Sequence, residues 1–150
     1  MKKIAAVCLI SLFFAVAATS AVLETVYDVE QSKGTFPSAI SSVITLDDMK
    51  TAIINAAAET DPKWELTENG DGAFTATLNN KEYTAVADIK YSNSYFTITY
   101  KDSKNLNFSP KDDKLFPYKI NTGYNRWVTI LEQKIRLNVR KVFLEARKRK

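Results

Sequence analysis

The side chains that most often carry out chemistry are scarce in this chain. It contains no histidine, which removes the commonest general base and the commonest metal ligand. Its single cysteine, Cys8, follows Val7 near the start of an apolar run. A lipid-attachment cysteine ends such a run after a small residue, so Cys8 reads as an ordinary apolar residue and not as an anchor or nucleophile. Ser103 is followed by Lys104, but a Ser-Lys pair needs a desolvated amine aimed at the hydroxyl, and this polar stretch offers little burial. Asp47 and Asp48 are adjacent. On a helix neighbours diverge by about 100°, so they suit capping better than metal binding. Asn69-Gly70-Asp71-Gly72 lacks the spaced acids of a calcium loop and has the residues of a tight turn. The spacing of paired carboxylates for glycoside cleavage exists only in a fold. The expectation is a non-enzyme with no catalytic residues, no metal ligands and no cofactor.

Two groups of residues suit binding. Asp102, Ser103 and Asn105 follow the last predicted strand, and Asn125 and Arg126 open the last predicted helix. The first three serve as turn-makers at the least and as a recognition loop at the most. The second group rests on an uneven charge distribution. Residues 22–125 hold ten lysines and arginines against fifteen acids, a net of −5, whereas residues 126–150 hold nine against two, a net of +7. Arg140, Lys141, Arg147, Lys148, Arg149 and Lys150 concentrate at the end. There they favour the negative pole of a helix and also make a foot for anionic lipid headgroups, lipopolysaccharide or an acidic protein. Nucleic acid ranks last, because the sheet carries no RNA-binding aromatic motif.

These residues need elements to hold them. Residues 1–21 have two lysines, an apolar run and small residues in sequence, the layout of a secretory signal cleaved near Ser20 or Ala21. The apolar run is shorter than the about 20 residues needed to cross a bilayer. The expected address is periplasmic or secreted, without a lipid anchor. Residues 22–44 read as an N-terminal arm, in which Val22, Val26, Tyr27 and Val29 make either a short strand or a loose amphipathic segment, punctuated by Gly34 and Pro37. Thr45-Leu46-Asp47-Asp48 fits a helix N-terminus, with Met49, Ile53, Ala56 and Ala57 as its apolar stripe and an end near Glu59 or Thr60, before Pro62.

Four strands follow. Trp64 and Leu66 share a side of a short first strand over 63–67. In the next three, Phe74, Ala76 and Leu78, then Tyr83, Ala85, Ala87, Ile89 and Tyr91, then Phe96, Ile98 and Tyr100 alternate with polar positions, which predicts an antiparallel meander with one wet face. Asn79-Asn80 and Ser92-Asn93-Ser94 supply turns. Residues 102–122 read as polar and irregular, with Pro110 and Pro117 excluding a long helix. From Tyr124 a final helix places Trp127, Ile130, Leu131, Ile135, Asn138, Val142 and Ala146 along one side, widened by Val139 and Phe143. The fold class is α+β: helix, four-stranded antiparallel meander and C-terminal helix packed as a two-layer sandwich over 45–146, with a basic tail at 147–150.

The run from Tyr95 through Phe96, Ile98, Tyr100, Asp102, Ser103, Asn105 and Leu106, followed by Tyr124-Asn125-Arg126-Trp127-Val128, resembles a family of small bacterial envelope proteins, many of them lipoproteins without an assigned activity. Trp64 and Tyr83 to Tyr91 fit the same pattern, so the likeness covers roughly Leu46 to Ile135. It implies this order of elements and an envelope address, and no catalytic residues. The chain departs from it in lacking a lipid-attachment cysteine and in its basic C-terminal extension. The expected function is an exported binding module that contacts an envelope protein or anionic envelope surface. The alternative is a small-ligand binder or weak hydrolase with a pocket between helix and sheet.

Overall fold

A computed structural model describes residues 22–109 and 119–149. The predicted signal segment, with Cys8, lies outside the described residues, as do Pro110, Pro117 and Lys150.

The first long helix forms where its cap dictates. In α3 (Leu46–Ala58), preceded by the short turns α1 (Gln31–Gly34) and α2 (Ser38–Ser41), the Thr45 hydroxyl accepts the Asp48 N–H at 3.1 Å. The Asp48 carboxylate accepts the Thr45 N–H at 3.0 Å. This closes the capping box and satisfies donors that a helix start leaves orphaned. Met49, Ala52, Ile53, Ala56 and Ala57 are buried, so one stripe faces the core and Asp47 serves the helix end.

The sheet has the order β2-β3-β4-β5, all antiparallel. Its strands are β2 (Glu65–Glu68), β3 (Ala73–Asn80), β4 (Tyr83–Tyr91) and β5 (Phe96–Lys104). Register places Phe74 opposite Ile89, Ala76 opposite Ala87, and Ile89 opposite Ile98. The predicted inward residues are buried from Phe74 to Ile98, with Tyr83 and Tyr100 half-buried at the margin. β2 begins at Glu65, two residues later than expected, so Trp64 precedes it, and two further boundaries differ from the sequence expectation. β3 continues through Asn80 and turns at Lys81-Glu82, with Lys81 at a φ of 27°. β5 runs on to Lys104, because a bulge absorbs Lys101: Ala87 faces Tyr100, and Val86 faces Asp102. The bulge resets the alternation, so the polar run 101–104 pairs as strand although its pattern imitates a loop.

The arm is structured, and of the two readings open for it a short strand forms. β1 (Leu23–Thr25) pairs with β6 (Lys119–Asn121). Val29 then exchanges N–H···O bonds with Ile98 at 2.8 and 3.0 Å, and the Phe36 N–H reaches Ser94 O at 2.8 Å. The arm thus satisfies backbone groups along the β5 edge, and Val29 and Phe36 are buried against it. Gly34 sits directly over the Phe96 carbonyl, where any Cβ would overlap the oxygen.

The last helix, α4 (Thr122–Lys148), starts earlier than predicted because the Asn121 side chain accepts the Gly123 N–H at 2.8 Å. Its 27 residues span about 40 Å. The first half crosses the sheet, with Tyr124 edge-on to Tyr100 at 5.5 Å, Trp127 near Tyr83 at 6.5 Å and Arg136 over Phe96 at 5.4 Å. The second half lies antiparallel along α3. Asn138 and Lys141 reach Glu59, and Arg149 reaches Asp48 at 2.8 Å. The buried stripe is Tyr124, Val128, Leu131, Ile135, Asn138, Val139, Val142 and Ala146, so Trp127 flanks the core and Ile130 falls on the outer side of the helix. Sheet and helices form the two expected layers.

The Asp48 contacts set a pH dependence. Burial pushes its carboxyl up, but the Thr45 N–H, the Arg149 guanidinium and the Thr45 hydroxyl together outweigh burial and hold it below the ordinary 3.8. A depressed folded value stabilises above the unfolded value and is lost as pH falls through the folded one. Urea midpoints should therefore fall as pH drops below about 4, and the acid-induced loss should be smaller in Asp48→Asn, which is less stable than the parent at neutral pH.

Candidate functional site

The five residues predicted as a recognition loop are dispersed and mostly engaged. Asp102 and Ser103 belong to β5. Asp102 Oδ1 accepts the Ser103 N–H at 2.8 Å, and the Ser103 hydroxyl meets the Tyr100 hydroxyl at 3.0 Å. Asn105 adopts a φ of 61° just past the strand and donates to Glu82 O at 2.6 Å. Asn125 clasps the arm, accepting the Tyr27 N–H at 2.8 Å and donating to Thr25 O at 2.7 Å. Arg126 is exposed. Asn105 and Asn125 are thus backbone clamps on separate segments, and no loop gathers the five. Removing the Asn125 amide leaves two main-chain groups without this partner, so Asn125→Ala should cost about 1–3 kcal/mol, measured by chemical denaturation.

Part of the basic tail expected at 147–150 is helical. α4 continues to Lys148, so Arg147 and Lys148 are helical. Lys141 pairs with Glu59 at 3.2 Å, and Arg149 pairs with Asp48. Both cations stay more than half exposed, so each pair is worth only about 0–1 kcal/mol. Arg140, Arg147 and Lys148 are exposed on the helix, with the Arg147 guanidinium 5.8 Å from the Phe143 ring centre.

Helical geometry joins these cations to residues the charge pattern did not single out. At about 100° per residue, Arg126, Ile130, Gln133, Leu137, Arg140, Lys141, Leu144 and Lys148 lie along the side of α4 away from the core. Leu137 is 47% and Leu144 50% exposed; what sets them apart from other exposed apolar side chains is that they share one helix face. They stand two turns apart, nearly above one another, and Ile130 continues the line half-buried. Glu145 stands at the margin. The outer face of α4 is therefore an apolar line flanked by cations. The exposed leucines were the missed signal: a second stripe opposite the core stripe, visible at seven-residue spacing.

No protein-family profile, curated protein or solved structure matches the chain. Among the described residues no helix is long and apolar enough to cross a membrane. Nor does any group of three or more histidine, cysteine or acidic side chains converge to hold a metal ion. The Ser103 hydroxyl lies 3.0 Å from the Tyr100 hydroxyl, and Ser103 and Lys104, adjacent on β5, point to opposite faces of the strand.

A second feature escaped the sequence reading. Val26, Asp28, Tyr100, Lys101 and Phe108 line a recess of about 380 Å³ where the arm crosses the bulge of β5. Its carboxyl comes from the arm and its aromatic wall from the sheet edge and the segment beyond it.

Proposed function

We propose that the chain is an exported, non-enzymatic binding module whose α4 outer face rests on an anionic phospholipid surface. The observation that carries this reading is the Leu137–Leu144 line flanked by Arg126, Arg140, Lys141, Arg147 and Lys148. A helix face of this composition places leucines at the level of the headgroups and cations beside the phosphates. Each basic residue near an anionic surface contributes about 1 kcal/mol. Charge and apolar contact thus act from one rigid face, without insertion of a spanning helix. The signal-like layout of residues 1–21 and the resemblance to envelope proteins support an envelope address.

Cosedimentation with vesicles of mixed phosphatidylglycerol and phosphatidylcholine tests the reading, with pure phosphatidylcholine as the comparison. The expected result is binding to the anionic vesicles alone, weakened as salt shortens the Debye length. Arg140→Glu with Arg147→Glu, and separately Leu137→Ser with Leu144→Ser, should each weaken binding at least about tenfold without altering the helical circular dichroism. Equal binding to both vesicle types, no binding to either, or full binding by the charge-reversed variant overturns the assignment.

A further inference from the structure

The recess at the arm–β5 crossing has features that the core does not require. We infer that it is a binding site for a small organic cation, an amine carried on a flat apolar body. Its volume of about 380 Å³ falls in the range of small-molecule sites. Tyr100 and Phe108 stack at 4.2 Å with their planes 17° apart, and Val26 adds an aliphatic side. Such a wall takes an apolar body, and aromatic faces also attract cations.

Asp28 supplies the charge. Burial pushes its carboxyl above the ordinary range, partly opposed by the Tyr100 N–H, which donates to Oδ1 at 2.8 Å. An asparagine would also accept that N–H, more weakly but without a desolvated charge. The carboxylate is therefore a cost to folding that the backbone contact alone does not explain. Lys101 borders the recess, but its amine lies against Asp88 at 2.8 Å and Thr75 at 3.0 Å. Glu30 adds negative field at Asp28 and Lys33 opposes it, and the Lys33 amine lies 5.2 Å from the Tyr27 ring centre. None of the hydrogen bonds and ion pairs described for these residues places a cation on Asp28.

The surrounding construction fits a site. The bulge that absorbs Lys101 puts Tyr100 and Ser103 on the same side of β5, which lets their hydroxyls meet. Bulges recur where a strand must re-aim a side chain beside a ligand. Tyr124, edge-on to Tyr100, is fully buried, and its hydroxyl has no hydrogen-bond partner. Burying an unsatisfied hydroxyl costs free energy, and burial together with the nearby Asp28 and Tyr100 pushes its ionisation far up, so it stays neutral. A charged group, an aromatic wall and a strand irregularity thus border one small volume, with the unpaired Tyr124 hydroxyl buried behind Tyr100 and outside its lining.

The test is NMR titration of the intact chain with phenethylamine as the probe and 3-phenylpropionate as its counterpart of opposite charge. Saturable shifts are expected at Tyr100, Phe108 and Val26 with phenethylamine only. Asp28→Asn should weaken that binding at least about tenfold while its thermal midpoint stays equal or rises. Phe108→Leu, which keeps bulk and loses the ring, should weaken binding with Asp28 intact. The Leu137→Ser/Leu144→Ser variant should bind the amine as the parent does, which separates this site from the membrane face. Absence of saturation, equal binding of the carboxylate, or undiminished amine binding by folded Asp28→Asn overturns the inference.

Discussion

Phe96→Ala should lower stability by about 3–5 kcal/mol, a large share of the about 5–15 kcal/mol that holds an ordinary domain together. The ring is fully buried. It lies 5.8 Å from Phe36 of the arm and 5.4 Å from the Arg136 guanidinium of α4, on a residue paired with Tyr91 of β4. Arm, sheet and helix layer therefore all lose a contact when it is truncated, and the cavity has walls on different segments. Chemical denaturation should show one cooperative transition at much lower denaturant. A loss below about 1 kcal/mol would mean that these layers do not meet at Phe96.

Gly34→Ala acts on the other side of the same residue with a different outcome. The added methyl overlaps the Phe96 carbonyl oxygen, a backbone atom fixed in the sheet, so neither side can relax by a rotamer change. Overpacking of this kind costs about 1–3 kcal/mol, and here the upper end applies. The arm is the partner that can leave, since β3, β4 and β5 are held by ladders of their own. Hydrogen exchange should show the Val29 and Phe36 amides losing protection while Ala76 and Ala87 keep theirs. Protease should then cut within 22–44 before it cuts the sheet. Uniform loss of protection would show that the arm and the sheet unfold as one unit.

The contrast between these variants parallels what the sequence did and did not reveal. The meander is legible because Phe74 to Ile98 alternate with a period of two within each strand and turn residues stand at 69–72 and 92–94, although the Asn79-Asn80 signal falls just ahead of the real turn at Lys81-Glu82. The first long helix was legible because Thr45 and Asp48 form a local cap. The arm was not, because its anchor is the pairing of Val29 with Ile98, and nothing in a run of mixed residues names a partner so remote. β5 was cut short at Tyr100 because the bulge at Lys101 shifts the alternation by one residue, leaving Asp102 and Ser103 looking like a turn. The α4 stripe was placed slightly off because Trp127 and Ile130, large and apolar, are as strong a signal as Tyr124 and Val128. Cations at Arg140, Arg147 and Lys148 were visible as charge, but their relation to Leu137 and Leu144 needed the core side to be known first. The recess draws Asp28 and Tyr100 from positions 28 and 100, so only the folded chain brings it into view.

The arm's position on β5 also bears on how the protein behaves when crowded. Pairing with Val29 occupies the middle of one margin of the four-stranded sheet, whose other margin is β2. That strand has four residues, Glu65 and Glu68 at its ends. A second molecule adding to it in antiparallel alignment would set Glu65 of one copy opposite Glu68 of the other, twice, and would crowd the Lys50–Glu68 ion pair. Like charges directly opposed across strands repel, and a short acidic margin offers little ladder in return. Concentrated solutions should accordingly resist fibril formation, and Glu65→Val with Glu68→Val is the change that would remove this protection.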